Sequence, residues 1–144
     1  MRSVHHYRSF GLWLIALPVI AAAHHSALYD ETRVVSIEGT ITAVAWVNPH
    51  VRLTVEVVDP DGRSETWLLE GSSVNVLERW GIEPTRIAVG DRVRAEGAVS
   101  PRGAHDVIAA TLALSDGTEV VLRPDVAARL GLSDAAVFER IVVA

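Results

Sequence analysis

The sequence predicts an all-β domain with one short helix, built as an OB-like small barrel of five to six strands and followed by a short helical tail. Three observations predict it. Apolar residues recur at every second position over several short runs, the period of half-buried strands. Turn chemistry separates the runs, above all Asp59-Pro60-Asp61-Gly62 and Asp116-Gly117. A segment of helical spacing follows the third run, and three strands, a helix and two strands is the order of the five-stranded OB barrel. A β-sandwich fragment is the alternative arrangement.

From Val34 the alternation places Val35, Ile37, Ile41, Ala43, Ala45 and Val47 on one face and Ser36, Glu38, Thr40 and Thr42 on the other. Gly39 falls on the apolar face in mid-strand, where a missing side chain permits the bend or bulge that a small barrel needs. Asn48-Pro49 ends this strand. In the second strand Val51, Leu53, Val55 and Val57 point one way, and Arg52, Thr54 and Glu56 the other. A third strand runs from about Ser64 to Leu69. Gly71-Ser72-Ser73 then offers a Ser cap to a helix carrying Val74, Leu77 and Trp80, with Gly81 as its stop. A fourth strand, Val89 to Gly97, is entered through Gly90-Asp91, and a fifth spans about Asp106 to Leu114. Asp116-Gly117 signals a type I′ hairpin into a short sixth strand, Glu119 to Leu122. The tail carries two helical patches, Pro124 to Leu130 before Gly131, and Asp134 to Val142 behind Ser133.

Ahead of the barrel, residues 1–23 read as a signal peptide. Arg2 and Arg8 supply the positive start, Gly11 to Ala22 is almost wholly apolar, and Ala21-Ala22-Ala23 offers the small residues of a cleavage site. A dozen apolar residues interrupted by Pro18 fall short of the roughly 20 that span a bilayer. The expected product is periplasmic or secreted, with no membrane insertion after cleavage. Four segments follow: signal peptide 1–23, polar lead-in 24–33, barrel domain 34–122 and helical tail 123–144.

The 144 residues contain no cysteine, which rules out thiol catalysis and thiolate metal sites and leaves the core to hold the fold by itself. All 13 basic residues are Arg, against 18 acidic ones, for a formal net charge of −5. Arg2 and Arg8 leave with the signal peptide, which makes the exported part more acidic still. Such a surface repels polyphosphate and anionic lipid, so nucleic acid is not an expected partner. No G-x-S-x-G context surrounds Ser72 or Ser73 and no glycine-rich phosphate loop exists, so an enzyme is not indicated.

Histidine carries what chemistry the sequence offers. Cleavage after Ala23 makes His24 the first residue, followed by His25. An N-terminal His binds a cation through its α-amine and ring nitrogen together, and copper or another divalent metal favours such nitrogen donors. His50 lies in the Trp46-Val47-Asn48-Pro49-His50 turn, and His105 opens the fifth strand. The OB topology puts the loops holding His50 and His105 near one rim. Candidate metal ligands are therefore His24, His25 and His50, and candidate ligand-binding residues are Trp46, Asn48 and His105. Trp46 and Trp67 on neighbouring strands offer stacking surfaces for a sugar or a base. Ordinary uses compete with each assignment: a solvated terminus, a hydrogen bond to the turn, core packing. The alternating strands already supply an apolar face, so no cofactor is required for folding.

The segments Ala23-His24-His25-Ser26, Tyr29-Asp30, Glu38-Gly39-Thr40, Trp46-x-Asn48-Pro49-His50 and Gly90-Asp91-x-Val93-x-x-Glu96-Gly97 resemble an uncharacterised family of small secreted proteobacterial proteins, a domain of unknown function. The resemblance covers roughly residues 23–122, with Ala27 where members typically carry an aromatic residue. It implies a periplasmic OB-like module and brings no catalytic residue. The expected function is a non-catalytic binding module for an unidentified protein or small ligand, with copper or another divalent metal as the sharpest version. A protein–protein adaptor or structural module of the envelope without metal is the alternative.

Overall fold

A computed structural model describes residues 30–101, 103 and 105–132. Six strands, β1 (Asp30–Ala45), β2 (Arg52–Val58), β3 (Ser64–Glu70), β4 (Arg92–Val99), β5 (Asp106–Leu114) and β6 (Glu119–Val121), are joined by two helices, α1 (Val74–Arg79) and α2 (Pro124–Leu130). A 3-10 turn covers Pro84–Arg86. The expected helical patch at Asp134–Val142 and the signal peptide lie outside the described residues.

Neighbouring strands run in the order β3-β2-β1-β4-β5-β6, and β3 also pairs with β5. That last pairing is parallel, joins Leu68 to Asp106, Leu69 to Val107 and Glu70 to Ile108, and closes the sheet into the five-stranded OB-like barrel that the element order predicts. One edge of β5 is shared: its first residues meet β3, while Thr111–Ala113 meet β6. The interior is filled by Ile37, Ile41, Val51, Leu53, Val55, Leu69, Leu112 and their neighbours, and Leu77 of α1 adds to it. Fully burying each such side chain contributes roughly 1.5–3 kcal/mol.

Strand β1 departs from the simple alternation. It starts at Asp30, inside the expected lead-in, and pairs with β4 over Val34–Thr40 and with β2 over Thr40–Ala45. A register shift between Ile41 and Ala43 inserts one extra residue. Up to Ile41 the expected face is the buried one. Beyond the bulge the faces exchange: Val44 and Trp46 pack on the core, whereas Ala43 and Ala45 are exposed and Val47 is 58 % exposed. The cause is the period of two, since a single extra residue turns every later side chain to the other face.

Turn chemistry explains the remaining boundaries. Asp59 and Arg63 close the β2–β3 hairpin, with Gly62 at φ +80° and its N–H donating to Asp59 O. The β5–β6 hairpin is not type I′, which needs positive φ at both central residues. Only Gly117 has it (φ +83°), the Leu114 and Gly117 N–H groups donate to Thr118 O and Leu114 O, and the loop is the three-residue kind ending on a left-handed glycine. Strand β4 starts at Arg92, later than expected, because Gly90 (φ +97°) turns the chain first.

The segment after residue 122 is more than a tail. Val126 and Ala127 of α2 are buried against Ala98, Ile108, Ala110 and Val121, a second apolar cluster on the outer side of β4 and β5. At the start of α2, Asp125 is held below the ordinary aspartate value of 3.8, first by a hydrogen bond from Arg123 and then by the charges of Arg123 and Arg129, against the opposing effect of burial. Among the described residues no helix is long and apolar enough to cross a membrane.

Two outcomes are expected. A Cβ on Gly39 would lie 2.3 Å from Glu56 O and 2.7 Å from Val55 Cγ1. Gly39→Val therefore forces β1 and β2 apart and destabilises by roughly 1–3 kcal/mol in denaturant titrations; a variant as stable as the parent would mean that the strands do not approach there. Because the folded-state value of Asp125 is depressed, its contribution is present above 3.8 and is lost as pH falls through the folded value. Asp125→Asn should thus be the less stable protein at pH 7, by under about 1 kcal/mol for so exposed a pair, and the gap should close in acid. A gap that is constant with pH would contradict the assignment.

Candidate functional site

The turn between β1 and β2 is fixed from several sides. A cis peptide bond joins Asn48 to Pro49. Asn48 Oδ1 accepts a hydrogen bond from Val74 N at 3.2 Å, so Asn48 caps α1, a role the sequence suggested for a serine. Ser73 does stand at the N-cap, but its hydroxyl makes no capping bond. After the turn, Val51 N donates to Ser72 O at 2.9 Å, and Gly71 N donates to Val51 O at 2.8 Å. His50 is thereby anchored on a backbone bonded to the end of β3.

The end of β3 supplies its partner. Glu70 is only 6 % exposed and places Oε1 3.0 Å from His50 Nδ1, while Arg52 Nη2 stands 3.7 Å from the other carboxylate oxygen. The β2–β3 register sets Arg52 directly opposite Glu70, and the parallel β3–β5 register sets Ile108 on the other side. A buried carboxylate is costly unless paired, and His50 and Arg52 both stand beside this one. The imidazole itself stays part-exposed at the barrel's rim.

His105 is held elsewhere. Its ring stacks on Trp67 with centroids 4.7 Å apart and an angle of 27°, its Nε2 is 3.5 Å from Glu65, and its carbonyl accepts from Leu68 N. Side chains of β3 alternate, so Glu65 and Trp67 share the face that packs toward the core while Glu70 lies on the opposite one. His50 and His105 thus take separate carboxylates, Glu70 and Glu65, which the alternation of β3 puts on opposite faces of the strand.

Trp46 and Trp67 both pack against the core, and their indole N–H groups are buried without an acceptor among the described residues. His24 and His25 lie outside the described residues. Among the described residues no three His, Asp or Glu side chains converge as a metal site requires. The arrangement does present one imidazole whose Nδ1 edge meets a buried carboxylate, which leaves Nε2 on the far side of the ring.

Glu70 and Arg52 escaped the sequence reading, yet a signal for them exists. The Asp59–Gly62 turn fixes the hairpin register, and counting back from it sets position 52 opposite 70.

The fold has distant likenesses among solved structures. A mitochondrial single-stranded DNA-binding protein from S. cerevisiae, Rim1, is 14 % identical and covers 58 % of this chain and 93 % of its own, with a TM-score of 0.43. A small single-stranded DNA-binding protein from Streptomyces coelicolor is 17 % identical, covering 58 % and 91 %, with a TM-score of 0.39. No curated protein matches the sequence. Residues 12–108 do match a family described as a family of unknown function, DUF6152, and since that span takes in well over half of the sequence, as far as the start of β5, the chain belongs to that family.

Proposed function

We propose that this protein is a non-catalytic binding module of the periplasm, or a secreted one, that takes copper or another divalent metal at the rim of its barrel. His50 is one ligand, and His24 and His25 of the processed N-terminus complete the set. The observation that supports this reading is the His50–Glu70 contact of 3.0 Å. A histidine that gives its Nδ1–H to a carboxylate offers Nε2 to a metal, and carboxylate–histidine–metal arrangements are the usual second layer of such sites. A metal-free adaptor is the second reading, favoured by the lack of a third ligand among the described residues. Nucleic acid is not part of either reading: the DNA-binding proteins share only a fold outline with this chain, and 18 acidic against 13 basic residues oppose a polyanion.

Because the core is continuous without metal, the chelator-treated protein should melt in one cooperative transition by circular dichroism. Absence of that transition would make the metal part of the fold. Bound to the native state alone, copper should then add about 2.7 kcal/mol of stability at a hundredfold excess over Kd. The deciding measurement is calorimetric copper titration of protein beginning at His24, of the same protein with one residue added before His24, and of His24→Ala and His50→Ala. Each change should weaken binding at least tenfold, about 1.4 kcal/mol, and binding should fade as acid protonates the imidazoles. Equal binding by all four would remove the metal site and leave the adaptor reading.

A further inference from the structure

The geometry points to Glu70 as a positioning residue that fixes His50 in the Nδ1–H tautomer and so presents Nε2, with its lone pair, as the metal-binding nitrogen. This inference rests on the metal reading for its use, but its structural content is independent of it.

The argument starts from donor and acceptor capacity. In this contact the carboxylate oxygen accepts, so the imidazole nitrogen 3.0 Å from Glu70 Oε1 is the donor and carries the hydrogen. In a ring with one N–H, that proton on Nδ1 leaves Nε2 unprotonated. The contact is built rather than incidental. Glu70 is 6 % exposed, and its backbone lies within the β2–β3 ladder on one side and the β3–β5 seam on the other. The two bonds between Val51 and the Gly71-Ser72 backbone hold the residue after His50 to the residues after Glu70, at 2.8 and 2.9 Å. Arg52, 3.7 Å from Oε2, gives the carboxylate a countercharge on the oxygen that His50 does not use. The metal ligand is then pre-oriented before metal arrives, which lowers the entropy lost on binding.

Without such a partner an exposed histidine favours the other tautomer, with its proton on Nε2, so the arrangement has a spectroscopic signature. Long-range proton–nitrogen correlation at pH 8 on the metal-free, uniformly nitrogen-labelled protein should show His50 protonated at Nδ1 and bare at Nε2. Glu70→Leu, whose apolar side chain would sit beside Ile108, should move the proton to Nε2 and weaken copper binding about 10- to 100-fold. A parent ring protonated at Nε2, or at both nitrogens, overturns the inference, and this holds even where the variant fails to fold. Copper binding that is lost in His50→Ala but unchanged in folded Glu70→Leu overturns it as well. Copper binding unaffected by His50→Ala would instead sink the metal reading and leave the tautomer assignment standing on the spectrum alone.

Discussion

Strand β1 belongs to both halves of the barrel, and the rest of the structure depends on its change of partner beside Gly39. On one side of that residue β1 pairs with β4, on the other with β2, and only Thr40 is shared between the two ladders. A five-stranded barrel is too narrow for its strands to stay straight, so one of them must turn from one partner to the next. Gly39 allows it by bringing the Glu56 carbonyl into the space a side chain would fill. The bulge after Ile41 adds local twist in the same place.

The consequences reach the turn that carries His50. Since the bulge exchanges the faces of β1, Trp46 swings onto the core and anchors the chain just before Asn48. Asn48 then caps α1, which follows β3 directly. Turn, helix start and strand end are therefore one unit, which fixes the backbone that carries His50 relative to the end of β3. A supported backbone of this kind is what the proposed metal site asks of His50 as a ligand.

The two histidines of the barrel show how one strand separates chemistry by its pleat. His105 lies with Trp67 and Glu65 at the closing seam, where its backbone carbonyl also receives Leu68 N. His50 lies with Glu70 and Arg52 across the sheet. Both are histidine–carboxylate pairs, but only the second carboxylate is buried, and burial is what makes such a pair directional.

The amino-acid sequence by itself determined the element order, the faces of β2, both hairpin sites and the stops of α1 and α2, because each follows from local period or from glycine and proline chemistry. It also marked Gly39 and the histidines. Tertiary structure decided what local rules do not reach. Where β1 bulges depends on which two strands it must pair with, and the bulge reassigned Ala43, Ala45 and Val47 to the outside. That α2 is packed rather than trailing depends on an apolar patch assembled from β4, β5 and β6, with each strand giving one or two residues. Glu70 became the partner of His50 because the hairpin register and the closing seam carry it there across twenty residues of chain, so the pairing shows in the register counted from the Asp59–Gly62 turn and not in the residues next to either position.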